Sequence, residues 1–275
     1  MRGMMQRLIS NGAPRAIQQT LSDFLKRVSQ ASTRALILNF DGLLEHYPNS
    51  GERVEPGSEE LAVLRKLRQD TDIRLVVITG RPAARVAQWL GLPGTDIWGC
   101  HGLERLRADG AVDKAEVPAE TLDAIGEATG QLLSDGLGPF AESKYASIAI
   151  HWRGQEEEAG RLTRRVLHAW STIKNRKGVL LVPFDSGLEI MASARNRGDV
   201  VQTVLSEIGS DSAVAYLGGE TNDEDGFAAL RGRGLNVLVR EQYRRSLADV
   251  WVRPRAEVRD FLNSWIAECK TSVPG

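Results

Sequence analysis

Three aliphatic runs in this chain stop at polar residues. LILNFDGLL (36–44) ends at Asn39, with Asp41 two positions on. IRLVVITGRP (73–82) ends at Thr79, Gly80 and Arg81. AVAYLGGETNDEDGF (213–227) runs through Gly219 into Glu220, Thr221, Asn222, Asp223, Glu224 and Asp225. A fourth candidate, Arg197, opens a helical segment. A hydroxyl, cations and several carboxylates meeting at one place suit a phosphate held with Mg²⁺. The metal neutralises charge, the hydroxyl and a cation hold the oxygens, and carboxylates hold the metal. One widespread phosphate-transfer site needs two carboxylates, two residues apart, at a strand end. Here the first of those positions is the amide Asn39 and the second is Asp41.

These residues converge only if the runs are neighbouring strands. Strand and helix patterns alternate: strand 35–40, helix 58–69, strand 73–79, helix 82–90 and strand 96–100. The same grammar returns over 198–240. Such alternation predicts a doubly wound α/β core, a parallel sheet with helices on both faces, and ligands in such sheets sit at the carboxyl ends of the strands. Between the halves the rhythm changes. A hairpin about Asp109-Gly110, a helix over AETLDAIGEATGQLL, an alternating strand within FAESKYASIAIHWRG, an amphipathic helix and two strands about FDSG describe a smaller α+β unit. The expected organisation is an N-terminal helical extension over 1–30, a core over 31–103 and 195–270, and an inserted α+β cap over 104–194. Ile17, Leu21, Leu25 and Val28 recur at helical spacing and predict that the extension docks on the core.

The ordered set of motifs resembles the trehalose-6-phosphate phosphatase family of the haloacid-dehalogenase (HAD-like) superfamily. The family opens with Asp-x-Asp-Gly-Thr-Leu, matched here by Asn39-Phe40-Asp41-Gly42-Leu43-Leu44. Its Thr-Gly-Arg-Pro element is intact as Thr79-Gly80-Arg81-Pro82, and GCHGLE (99–104) matches its His-Gly-aliphatic-Glu element. In the cap, Glu142-Ser143-Lys144, His151-Trp152-Arg153 and Glu189 fall on family positions. ARNRG (194–198) stands for Asn-Lys-Gly, and GGETNDEDGF (218–227) for the last acidic motif. The resemblance implies a core with Mg²⁺, a nucleophile at 39, Asp41 as acid and base, and Thr79 and position 197 around the phosphate. It implies sugar-phosphate contacts from Gly80, Arg81, His101, Glu142, Lys144, His151 and Glu189. His101 reads equally as a satisfied core histidine, and Glu224 and Asp225 as acids at a helix start.

Four positions depart from the family. Asn39 offers an amide where a nucleophilic carboxylate belongs, Leu43 replaces Thr, Arg197 replaces Lys, and Gly219 stands where a metal-binding Asp belongs. Asp41, Glu220 and Asp223 remain as metal ligands, and Mg²⁺ should bind weakly, because hard cations need anionic oxygens. Two function classes follow. One is a binding protein that holds a sugar phosphate such as trehalose 6-phosphate, or a partner enzyme of trehalose metabolism, without turnover. The other is an active Mg²⁺-dependent sugar-phosphate phosphatase of trehalose biosynthesis. The residues at the site favour the first and the family the second, so whether the chain is an enzyme stays open at this point. A net charge of −1 over 275 residues gives no basis for a nucleic-acid partner. No apolar run is long enough to span a bilayer. Only Cys100 and Cys269 are present, which fits a reducing, cytoplasmic setting. The first Asp or Glu is Asp23, after Arg2, Arg7 and Arg15, a composition also compatible with a transit peptide.

Overall fold

The structure, a computed structural model, describes residues 15–41, 43–46, 55–56, 58–152, 156–184 and 187–271. Gly42 and Arg153 of the motifs above lie outside the described residues. The first part of the core runs α1 (Arg15–Gln30), β1 (Thr33–Asn39), β2 (Glu45–His46), β3 (Glu55–Pro56), α2 (Ser58–Asp70), β4 (Ile73–Ile78), α3 (Ala83–Leu90) and β5 (Asp96–Gly99). A hairpin of β6 (Glu104–Leu106) and β7 (Val112–Lys114) follows. The inserted unit holds α4 (Ala119–Ser134), β8 (Ala141–Lys144), β9 (Ser147–His151), α5 (Ala159–Ala169), β10 (Val179–Phe184) and β11 (Gly187–Ala192). The chain returns through α6 (Arg197–Ile208), β12 (Ser212–Gly218), α7 (Asp223–Leu230), β13 (Leu235–Val239), β14 (Val250–Val252) and α8 (Ala256–Thr271).

The large sheet has the order β14-β13-β12-β1-β4-β5-β6-β7. β14 through β5 are parallel, and β6 and β7 add antiparallel at one edge. Its central strands are buried on both faces, which is why they read as unbroken aliphatic runs. Leu36, Leu38, Leu75 and Val77 pack against α1, α2, α3 and α8, while Ala35, Ile37, Val76 and Ile78 pack against α6 and α7. That is the doubly wound arrangement the alternating pattern predicts. α1 docks through Phe24, whose ring meets Trp265 of α8 edge-on at 5.4 Å.

The smaller sheet, β10-β11-β9-β8, is antiparallel and covered by α4 and α5. Two details differ from the sequence reading. The segment expected as one alternating strand is a hairpin, β8 and β9, reversing at Tyr145 and Ala146, where Ala146 takes φ +52°. The 104–114 hairpin, expected within the inserted unit, pairs with the large sheet, Glu104 opposite Gly99 and Leu106 opposite Ile97. Arg105 fixes it there by donating to both oxygens of Asp96 at 2.8 and 2.7 Å.

Candidate functional site

β1, β4 and β12 are adjacent and parallel, so their carboxyl ends deliver Asn39, Thr79 and Gly218–Glu220 to one edge. Asn39 is fully buried. Its Nδ2 donates to Glu220 Oε2 at 3.1 Å and to Asp223 Oδ2 at 3.0 Å, and its Oδ1 accepts from the Asp41 backbone N–H at 3.1 Å. Two carboxylates on one side and an N–H on the other admit only this orientation of the amide. The family's nucleophile position therefore presents a hydrogen-bond donor to its acidic neighbours.

Asp41 turns to the β4 loop. Its Oδ2 accepts from Thr79 Oγ1 at 2.9 Å and from the Gly80 N–H at 2.8 Å, and its Oδ1 from Arg81 Nε at 3.3 Å. These are the donors that the family resemblance gives to phosphate. Here a carboxylate of the chain itself takes them up.

Arg197 begins α6, whose capping box joins Asn196 and Asp199: Asp199 N–H donates to Asn196 Oδ1 at 3.0 Å and Asn196 N–H to Asp199 Oδ2 at 2.8 Å. A buried cation at a helix N-terminus opposes the helix dipole. The acidic residues of the β12 loop offset that cost: Arg197 Nη1 donates to Asp223 Oδ1 and Nη2 to Glu220 Oε2 at 2.7 Å. Burial works against the charge on Arg197, but Asp223 and then Glu220 hold its pKa well above the ordinary value. Asp223 is fully buried and also accepts from Tyr216 Oη at 2.5 Å and from the backbone N–H groups of Gly219 and Glu220 at 2.7 and 2.8 Å. Burial, then the Asp223 charge, pushes the Tyr216 phenol well up. Glu224 instead anchors the 244–247 loop, accepting from Ser246 Oγ and the Leu247 N–H, both at 2.8 Å.

The inserted unit closes over this edge. Lys144 Nζ donates to the Gly80 carbonyl at 3.0 Å and to Glu189 at 2.9 Å, and His101 Nε2 lies 3.2 Å from Glu189 Oε2. Burial opposes the charge on Glu189, but His101 and then Lys144 hold its carboxyl far below the usual range. His101 takes φ +59° and Cys100 φ +49°, and a side chain at Gly80 would meet the His101 ring at 2.7 Å. The missing Cβ at 80 is what lets the imidazole reach the cap. Glu142 accepts from Arg85 Nη1 at 3.0 Å and lies 3.0 Å from His151 Nε2, which lowers its pKa.

The residues singled out in the sequence fall into separate hydrogen-bonded groups along this edge. Asp41 does not converge with Glu220 and Asp223 as a metal cage. Its oxygens face Thr79, Gly80 and Arg81, whereas the other two carboxylates face Arg197 and Asn39. Among the described residues no group of three or more His, Cys, Asp or Glu side chains is arranged to hold a metal ion. The donor set present does not fit Mg²⁺, which demands near-octahedral oxygens. Sequence reasoning also missed Tyr216 and Arg85. The signal for Tyr216 was a phenol in a buried strand, which has to find a partner. Arg85 gave none beyond its place on a helix one turn past Arg81.

A sequence model described as trehalose-phosphatase matches residues 37–248. The trehalose-phosphate phosphatase of Mycobacterium marinum is 26% identical over 215 residues, which are 75% of this chain and 54% of that protein. An uncharacterised glycosyl hydrolase of Mycobacterium tuberculosis is 27% identical over 268 residues, 90% of this chain but 19% of its own length. The chain therefore spans about half, or far less, of the curated relatives it matches. The C-terminal domain of the Candida albicans trehalose-6-phosphate phosphatase superposes with a TM-score of 0.72 at 15% identity, covering 90% of this chain and 96% of that one. Likeness at that identity shows the fold.

Proposed function

We propose, for a chain that belongs to the trehalose-phosphatase family of HAD-like proteins, that it binds a sugar phosphate of the trehalose 6-phosphate class and does not hydrolyse it. One observation carries this reading: Asn39 occupies the nucleophile position and donates its amide N–H groups to Glu220 and Asp223. An amide in that role has no free lone pair of useful nucleophilicity, and its donor side is turned to its acidic neighbours.

Binding needs less than turnover, and its parts are present. Thr79 Oγ1, the Gly80 N–H and Arg81 supply donors for phosphate oxygens, with the Asp41 carboxylate giving way to the stronger anion. Lys144, Glu189, His101, Glu142 and His151 line the cap side with alternating charges that suit sugar hydroxyls. The buried Lys144–Glu189 pair fixes those groups before a ligand arrives, which reduces the ordering cost of binding. Mg²⁺ has no part in this reading.

The test is a pair of measurements. Calorimetry with trehalose 6-phosphate and other sugar phosphates should show saturable binding, while phosphate release stays at background. Steady turnover by the unmodified chain, with mass spectrometry showing that Asn39 is not deamidated, would establish the active-phosphatase alternative. No binding by any sugar phosphate would leave a partner enzyme as the remaining occupant of the cleft.

A further inference from the structure

We propose that the Arg197 guanidinium is a built-in cation that takes the place of a divalent metal and closes this site to one. The inference rests on the packing around Asp223 and Glu220, not on whether a sugar phosphate binds.

A guanidinium is planar and carries donors in a fork, so one side chain can bridge two carboxylates. Arg197 does this, one Nη to Asp223 and the other to Glu220. A lysine ammonium on the same helix turn is a point donor and would reach fewer oxygens. The neutral Asn39 amide then completes the set, donating to the same two carboxylates. Asp223 has five protein donors around its two oxygens, leaving no open lone-pair direction of the kind a metal needs.

Neighbouring residues are fitted to this arrangement. A Cβ at Gly219 would lie 2.3 Å from the Val239 carbonyl oxygen, so a carboxylate cannot be restored there without moving the end of β13. A Cβ at Gly226 would lie 2.0 Å from the Tyr216 ring. The glycine admits the ring, and the ring places its hydroxyl on Asp223. Exchange of the metal for the guanidinium is thus written into the backbone on two sides of the site.

The experiment uses the metal alone. Wild-type protein is titrated with Mn²⁺ by electron paramagnetic resonance and with Mg²⁺ by calorimetry, and thermal unfolding is followed with Mg²⁺ or with EDTA. No saturable binding is expected up to about 10 mM, where carboxylate cages are already filled, and the melting temperature should not respond to either additive. Arg197→Ala should acquire a Mn²⁺ site and a melting temperature that rises with Mg²⁺. Arg197→Gln serves the same purpose should the alanine variant not fold. Stoichiometric metal binding by the wild type, or folded Arg197 variants that gain no metal affinity, would overturn the proposal.

Discussion

Asn39 ties two acidic residues together by donating to both. Changing it to Asp removes those bonds and sets a third carboxylate against Glu220 and Asp223 in a buried place. Asn39→Asp should therefore cost about 3 kcal/mol, the order found for uncompensated buried charges, read by urea denaturation at pH 7. The single change should restore no trehalose 6-phosphate hydrolysis, because Gly219 remains and its surroundings leave no room for a side chain. Tyr216→Phe keeps the ring and removes one donor from Asp223. It should cost about 2 kcal/mol, as for a hydrogen bond to a charged group, measured the same way. The departures at 39, 197 and 219 were legible in sequence because each falls within an ordered motif. Tyr216 was not, because its partner lies across a loop and no spacing links a phenol in an aliphatic strand to an acid at a helix start.

The side chains that join the inserted unit to the core include Lys144 of β8, Glu189 of β11 and His101 from the turn after β5, beside the Arg85–Glu142 pair. The Glu189 carboxyl is held below its unfolded value of 4.5. Its contribution to stability is therefore complete above that value and is lost as the pH falls below it. Melting curves should show a midpoint that drops as the pH is lowered from about 5 to 3. Lys144→Met should be less stable at neutral pH and show a shallower drop. Local pattern showed that helices and paired strands lie between residues 104 and 194, but not where β6 and β7 pair. A hairpin's own turn chemistry is encoded at Asp109-Gly110. Its attachment to β5 depends on Arg105 meeting Asp96 and Glu207, two partners far apart in sequence. The reversal at Tyr145–Ala146 escaped notice for a related reason: neither residue is one that favours φ > 0, and pairing with β9 imposes it.

At the scale of the whole molecule, a large sheet wrapped by helices carries a smaller inserted sheet, and the first and last described helices meet in space. α1 and α8 share an aromatic contact, Phe24 on Trp265, with Phe261 beyond it at 6.1 Å. Phe24→Ala should cost about 3–4 kcal/mol, as for other buried aromatic truncations, seen as a lower urea midpoint. The docking of α1 was legible from four apolar residues at helical spacing, whereas its partner α8 was not singled out, because nothing within 256–271 names the helix it packs on. The doubly wound parallel core followed from the alternation of strands and helices, whereas the order of its strands rests on pairing between segments far apart in sequence, β1 beside β12 above all. The two margins of that sheet have a further effect. β14 and β7 are each three residues long, Val-Trp-Val and Val-Asp-Lys, the latter carrying a charge of either sign. A margin so short offers a passing chain only one or two unpaired peptide groups, and β7 offers them beside charges. The hairpin thus acts as a bumper. Without it, β5 with its buried Ile97 and Trp98 would form the rim, and crowded solutions of the protein would be expected to gel or precipitate through strand-to-strand templating.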